Sequence, residues 1–383
     1  MADMSAPRSR VTFVHSADWQ LGMVRAFLGP EAQARYGQAR IDAIERIGQV
    51  AAEAGAAFVV VAGDVFDANQ VDRHIVLRAC EALKTIQCPV YLLPGNHDSL
   101  EPGSVWTSPI LAAHLPSHVE IVTDTTPRTP VPGVEVVGLP WRTRRPYADP
   151  MAELSQLEPT PDGVLRVAVG HGQVDIVAPE NPTIAHIELA GLEAALADGR
   201  IHFAALGDHH SVNDVGTTGR IWYSGTPEPT RPEETDPGKV LRVDLSADGC
   251  EVTPIEVGTW RLLEHIIEVD GDSALDQLEE WLGDRPDKAR TVVRLGVSGT
   301  LSVAGLTRLE MLLDAHSELY AAIQRRHKRW SLQVLPDDAA LDSLSVSGPA
   351  RAALDELRLA TGEGDGVAAD ALALLHRLAG GAA

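Results

Sequence analysis

Three continuous apolar runs in the first hundred residues each break off into a polar loop. They are "RVTFVH" (10–15), "AFVVVAGD" (57–64) and "PVYLLPGNHD" (89–98). Each is too short for a packed helix and apolar on both faces, which predicts buried strands. Between the first two lies "ARYGQARIDAIERIGQVAAEAG", with Ile41, Ile44, Ile47 and Val50 at helical spacing and Gly55 suited to its end. "HIVLRACEALKTI" separates the second run from the third in the same way. This β-α-β-α-β order predicts an α/β fold whose loops gather at the C-terminal ends of parallel strands.

From about residue 118 strand-like runs follow more closely: "HVEIV", "VEVVGLP", "LRVAVGH", "IHFAALGD" and "RIWYSGT". They predict a second sheet stacked on the first. "TPEPTRPEETDPGK" reads as a long polar loop, and "VLRVDL" with "EVTPIEV" as a closing hairpin. Near Trp260 the pattern restarts as a compact strand–helix–strand–helix–strand unit, and from about Pro336 the chain is Ala/Leu-rich and helical, with a "GEGDG" break. The expected domains are 1–258, 259–335 and a helical tail, 336–383.

Composition narrows the class. The 383 residues carry a formal net charge of −22, which argues against a uniformly basic, nucleic-acid-coating surface but not against a local basic groove. Cys80, Cys88 and Cys250 form no CxxC pair and read as reduced thiols. The opening "MADMSAPRSR" has no apolar core of a secretory signal, and no apolar run reaches membrane-span length. A soluble cytoplasmic protein is expected.

Chemistry concentrates in five loops, each following a strand-like run: "HSADWQLG" (15–22), "AGDVFD" (62–67), "PGNHDS" (94–99), "VGHG" (169–172) and "LGDHHS" (206–211). A lone Gly-Asp is ordinary turn chemistry, and a lone Gly-His is an ordinary strand end. Five such loops, in order and all at strand ends, make coincidence a poor account.

The set resembles the calcineurin-like metallophosphoesterase superfamily, whose pattern is D-x-H, GD-x-x-[DH], GNH-[DE], a lone His after a strand, then GH-x-H. Within it, "HSADWQLG", "AGDVFD" and "LPGNHD", with a C-terminal αβ appendage, look most like SbcD-type DNA repair nuclease subunits. The resemblance implies two stacked mixed β-sheets flanked by helices, a four-layer αββα sandwich, with a smaller αβ cap and a helical tail. It also implies two divalent ions about 3.5–4 Å apart, most readily Mn2+ with Mg2+ as an alternative. Asp64 would bridge them. Asp18, Gln20 and His210 would complete the first metal site, and Asn96, His171 and Asp208 the second. His97 would face the scissile phosphate, and Asp98 would orient His97 or a neighbouring loop.

Two ligand slots depart from the pattern. Gln20 replaces the His of D-x-H, and Asp208 replaces the first His of GH-x-H, although His209 could ligate instead. Position 67 is Asp, as in bacterial SbcD-type proteins. Asp18, Asp64 and Asp208 would leave two divalent ions with a net charge of plus one, where the family's two carboxylates leave plus two. A less positive centre should acidify bound water less and favour hard ions. The expectation is a slower or more metal-demanding site. His15 would support the first loop, and Trp19 would pack over the site.

Basic clusters are few. "WRTRRPY" supplies Arg142, Arg144 and Arg145, and "QRRHKRW" supplies Arg325, Arg326, Lys328 and Arg329. Each flanks aromatic residues, so DNA binding through phosphates and stacked bases is one reading, and a solvated face the other. The resemblance further implies a homodimer, an SbcC-type ATPase partner docked on the tail, and DNA ends or hairpins as substrate. The alternatives are a phosphoesterase for small phosphodiesters or phosphomonoesters, and a non-catalytic scaffold for DNA or the ATPase.

Overall fold

The computed structural model describes residues 10–177, 186–335, 341–342, 344–362 and 365–379. The chain divides into two compact units, Met1–Ala26 with Gln33–Trp260, and Phe27–Ala32 with Arg261–Ala383.

In the first unit the elements run β1 (Arg10–Ser16), α1 (Pro30–Glu53), β2 (Val59–Val61), α2 (Arg73–Leu83), β3 (Val90–Leu92), α3 (Pro109–His114), β4 (Val119–Ile121), β5 (Arg128–Val131), β6 (Val134–Gly138), β7 (Leu165–His171), α4 (Leu189–Ala197), β8 (Phe203–Gly207), β9 (Val212–Asp214), β10 (Ile221–Ser224), β11 (Lys239–Ser246) and β12 (Cys250–Glu256). One six-stranded sheet has the order β12-β11-β1-β2-β3-β4, and a second has the order β5-β6-β7-β8-β10-β9. Both are mixed: β1 to β4 are parallel and β11 and β12 antiparallel, while β6, β7, β8 and β10 are parallel between antiparallel β5 and β9.

The facing sides of the sheets share one apolar core. Phe13 stacks on Phe58 with centroids 4.9 Å apart, and the edge of Phe203, from the second sheet, meets Phe13 at 5.5 Å. Ile41, Ile44 and Ile47 of α1 press on Val14, Val59 and Val61 from outside, and Leu192 of α4 packs against Ala168 and Leu206 on the far side. Burying each large aliphatic side chain stabilises the fold by roughly 1.5–3 kcal/mol. The result is the expected helix–sheet–sheet–helix layering.

One strand falls differently from the sequence reading. "HVEIV" supplies β4, which pairs with β3 in the first sheet and not with the second. The intervening α3 provides the crossover that a parallel neighbour needs. The second sheet begins with β5. The predicted closing hairpin, β11–β12, joins the first sheet beside β1.

The second unit holds β13 (Arg261–Val269), α5 (Asp272–Gly283), β14 (Thr291–Ser302), α6 (Val303–Ser317) and β15 (Ala322–Leu335) in an all-parallel sheet, β13-β14-β15. Leu275, Leu278, Leu282 and Leu309 cover one face of it. α7 (Pro349–Gly362) and α8 (Gly366–Leu378) follow, with Leu354 and Leu372 buried alongside Leu341. Residues 363 and 364 of the "GEGDG" stretch lie outside the described residues. No helix among the described residues is long and apolar enough to cross a membrane.

Candidate metal centre

The loops after β1, β2, β3, β7 and β8 converge. Among the described residues Asp18, Asp64, Gln20 and Asp208 have positive φ (54°, 53°, 45° and 89°), and Asp287 is the one other non-glycine residue that does. A left-handed residue costs roughly 1–2 kcal/mol, less for Asp, whose short side chain can bond locally. The backbone carries that strain at the position where its polar side chains must turn inward. Asp18 N donates to Gly63 O at 3.0 Å and Gln20 N to Asp64 O at 2.9 Å, which locks the first loop to the second. Gly63 is required for close approach: a Cβ there would stand 2.1 Å from His171 Nδ1.

Asp18, Asp64 and His171 are buried, and each offers a donor atom within 4.8 Å of the others. His171 Nδ1 faces the Ala62 carbonyl at 2.8 Å, so Nδ1 carries a proton and donates it. Its Nε2 faces three oxygens: Asn96 Oδ1 at 3.0 Å, Asp64 Oδ1 at 3.4 Å and Asp208 Oδ1 at 3.6 Å. Acceptors crowded in this way need a positive charge among them, either a proton or a cation. Burial opposes charge on His171, but the carboxylates of Asp64, Asp18 and Asp208 outweigh it and raise its pKa to about 9. Burial raises Asp18 to about 7.

A second set of donors meets at His210. Its Nδ1 lies 2.9 Å from Glu234 Oε1 and 2.8 Å from Thr230 Oγ1, and its Nε2 points to Gln20 Nε2 at 3.2 Å and Asp18 Oδ1 at 3.7 Å. Gln20 Oε1 is buried without a hydrogen-bond partner. Such an orphan oxygen in a cleft of carboxylates and imidazoles suits a cation. The donor set therefore fits divalent metal, and Asp18, Gln20, Asp64, Asn96, His171, Asp208 and His210 are the residues able to hold it.

The Asp208 backbone N–H donates to both Asp18 oxygens, at 3.0 and 3.2 Å. His209 turns elsewhere, its ring 5.3 Å from that of Tyr223. His15 is buried, with Nε2 3.1 Å from Leu206 O, so it ties β1 to β8 behind the site. Trp19 is buried in the core of the first sheet.

The side chain of His97 is 42% exposed. Its backbone N–H donates to Asp64 Oδ1 at 2.9 Å, its Nδ1 faces the Asp67 carbonyl at 2.8 Å, and its Nε2 lies 3.9 Å from Asp64 Oδ2, beside the centre. Of the two roles expected of Asp98, orienting His97 or a neighbouring loop, its contacts are with the loops. Its oxygens accept from Phe66 N at 3.0 Å and Gly95 N at 2.7 Å, so the carboxyl braces one loop against the next. Burial, with the Asp64 charge, raises its pKa to about 7.

Arg142, Arg144 and Arg145 are exposed. Arg144 Nη2 donates to His97 O at 3.4 Å, and its backbone N–H to Glu101 Oε1 at 2.8 Å, which sets this cation beside His97. Trp141 is not available to stack a base, because it is buried and donates to His171 O. In the second unit a register shift between Leu295 and Val297 makes a bulge in β15 spanning Arg325 to Trp330. Arg325 lies 4.8 Å over the Trp330 ring, and Arg326 pairs with Glu264 at 2.6 Å. Lys328 and Arg329 are exposed.

Sequence reasoning missed Glu234 and Thr230, which hold His210. Both sit in the stretch read as a polar loop, where Glu228 is fully buried as well. The dense prolines of that stretch were the available sign that it is fixed in place.

Residues 11–173 match the family model for calcineurin-like phosphoesterase. Asp208 and His210 lie beyond the matched span. The DNA double-strand break repair protein Mre11 of Methanosarcina acetivorans is 23% identical over 368 residues, 91% of this chain and 55% of that protein, so the chain spans about half the length of that relative. Among solved structures, TT1561 of Thermus thermophilus aligns over 64% of this chain and 99% of its own, at 11% identity and a TM-score of 0.40. A dimetal phosphatase from Danio rerio aligns over 63% of this chain and 98% of its own, at 15% identity and a TM-score of 0.36.

Proposed function

We propose that this chain is a metal-dependent DNA nuclease subunit that hydrolyses phosphodiester bonds at a two-metal centre. The observation that carries the proposal is the convergence of buried Asp18, Asp64 and His171 with Asn96, with Nε2 of the half-buried His97 3.9 Å from Asp64 Oδ2. Bound divalent ions would supply charge to the phosphoryl oxygens and lower the pKa of a bound water. On this reading Asp18, Gln20, Asp64 and His210 hold one ion, and Asp64, Asn96, His171 and Asp208 the other.

The chain's own groups do the rest. His97 keeps Nδ1–H on the Asp67 carbonyl, which fixes the ring and leaves Nε2 to bind the phosphate or, when protonated, to donate to the leaving oxygen. Arg144 adds a cation beside His97 for the substrate's phosphates. Asp98 holds the two loops that carry Asp64 and His97 in register.

DNA as substrate is supported by the likeness to a DNA double-strand break repair protein over 91% of this chain. The exposed Lys328 and Arg329 of β15 add to it. Manganese as the working ion, homodimerisation and docking of an SbcC-type ATPase on α7 and α8 belong to the same proposal. A phosphoesterase for small esters is the second reading, since Arg144 beside His97 suits a single phosphate as well as a DNA backbone.

The test is cleavage of linear and hairpin DNA, beside a small phosphodiester, across Mn2+ and Mg2+, with Asn96→Ala and His97→Ala as controls. Cleavage of DNA lost in both variants supports the nuclease. Turnover of the small ester with no DNA cleavage supports the second reading. DNA cleavage that survives both substitutions overturns the site.

A further inference from the structure

We infer that Arg40, on α1 and outside every motif, is a positioning residue that sets the Asp18–Gln20 loop against His210. Its side chain is buried, and its guanidinium reaches two separate loops. Nη1 donates to Trp19 O at 2.8 Å. Nη2 donates to Glu228 O at 3.2 Å and Pro229 O at 3.3 Å, and to the Tyr36 hydroxyl. Trp19 lies between Asp18 and Gln20. Glu228 and Pro229 directly precede Thr230, which together with Glu234 holds His210 Nδ1. One side chain therefore ties together the two loops that bring Asp18, Gln20 and His210 to one place.

The chemistry explains why the residue is arginine. Three carbonyl oxygens converge from different loops, and without a cation among them they would repel. A planar fork satisfies all three at once, whereas a lysine ammonium cannot span them. Arg40 Nε is buried without a hydrogen-bond partner, and the charge of Arg40 reaches Asp67 only at a distance, so burying this guanidinium is costly. Packing α1 alone would be served better by an apolar side chain. The Tyr36 ring lies 4.7 Å beneath the guanidinium, and its hydroxyl donates to Pro229 O at 2.7 Å, so Tyr36 shares the task.

Arg46 gives the comparison. It grips the same loop through Glu228 Oε1 at 2.7 Å and also donates to the Val257 carbonyl, but its bonds do not include the Asp18–Gln20 loop. A merely structural clamp should behave like Arg46.

The inference rests on the metal reading of the site, and the test separates the two. Mn2+ is titrated calorimetrically into the full chain as wild type, Arg40→Lys, Arg46→Lys and Tyr36→Phe, and thermal unfolding is followed in chelator. Arg40→Lys is expected to lose about tenfold or more in Mn2+ affinity, the scale typical of residues that orient metal ligands. Arg46→Lys is expected to unfold at a lower temperature with its Mn2+ affinity unchanged. Should Arg40→Lys fail to fold, Tyr36→Phe carries the test with an expected loss of about fivefold, one hydrogen bond's worth. Wild-type affinity in Arg40→Lys, or in Tyr36→Phe where it stands in, overturns the inference, as does an equal loss in Arg46→Lys. A wild-type chain that takes up no Mn2+ overturns the metal reading and this inference with it.

Discussion

Gln20 Nε2 stands 3.2 Å from His210 Nε2, so the amide occupies the side of the ring that faces Asp18. Glu234 and Thr230 take the other ring nitrogen. A cation drawn to His210 must displace the amide or turn it, which would present the unpartnered Gln20 Oε1. Turning the amide costs a hydrogen bond and yields a neutral oxygen where an imidazole would bind more strongly. Gln20→His should therefore raise Mn2+ affinity about tenfold, the equivalent of ~1.4 kcal/mol. Calorimetric titration checks this, and unchanged or weaker binding would show that Gln20 is not a handicap.

Glu234 is expected to matter as much as a ligand. Its carboxylate is held below the usual range: burial pushes it up, but the hydrogen bond and charge of His210 more than offset that. A carboxylate on Nδ1 fixes the ring and makes Nε2 a better donor to a metal. Glu234→Gln should lower Mn2+ affinity by about 10–100-fold. A variant that binds Mn2+ as tightly as the wild type would remove Glu234 from the centre.

The buried groups also set a pH dependence with a definite sign. His171 is raised from 6.5 to about 9, so its stabilisation of the metal-free fold is complete below 6.5 and is lost as pH rises through about 9. Asp18 and Asp98 are raised by burial from 3.8 to about 7, so the fold favours their protonated forms, and that benefit too is lost on raising the pH through about 7. Glu234, being lowered, acts oppositely, but below its ordinary value of 4.5. His15, which burial lowers to about 3, acts oppositely up to 6.5, so the metal-free protein should lose stability clearly from about pH 6.5 to about pH 9. Mn2+ requires Asp18 deprotonated and His171 neutral, so its stabilising effect should grow over the same range. Thermal unfolding with chelator and with Mn2+ at each pH checks this. A gap between the two midpoints that narrows with rising pH would contradict it.

How much of this was legible depends on distance along the chain. The strands and their loops were readable because buried parallel strands leave continuous apolar runs, and the ligand types cluster at their ends. The partners of those ligands were not. Glu234 meets His210 from 24 residues away, and Arg40 meets Trp19 from 21. Nothing local in "EETDP" marks one glutamate as buried, and nothing in an amphipathic helix marks one arginine as turned inward. Trp141 misled for the same reason: beside three arginines it reads as a base-stacking ring, yet its N–H is spent on His171 O. β4 went to the first sheet because pairing is decided by the crossover through α3, which strand composition does not report.

Gly207 separates a backbone requirement from helix packing. A Cβ at Gly207 would stand 1.9 Å from Ala62 O and 2.9 Å from His171 Nδ1, with no flexible side chain to yield. Gly207→Ala should cost about 1–3 kcal/mol of stability and disturb the His171 side of the centre. Gly191, inside α4, has nothing within 4 Å of its Cβ position, so Gly191→Ala should stabilise by about 0.5–1 kcal/mol. Chemical denaturation of both variants checks the contrast, and similar midpoints would refute it.

The bulge in β15 yields a graded expectation for DNA binding. Arg326 is engaged with Glu264, and Arg325 lies over Trp330, whereas Lys328 and Arg329 are exposed with their neighbours on the bulge. Charge reversal at Lys328 and Arg329 should therefore weaken DNA binding more than Arg326→Ala does. Because cations on phosphates release counterions, each phosphate left unneutralised should reduce the slope of log affinity against log salt by about 0.9 on duplex DNA. Turnover of a small phosphodiester should not change, since that ester needs only the metal centre and the groups around His97. Salt-dependent binding and small-ester kinetics on the same preparations decide the matter. Equal loss in both would mean that the substitutions damage the fold, and an unaltered salt slope would leave the β15 cations a solvated face.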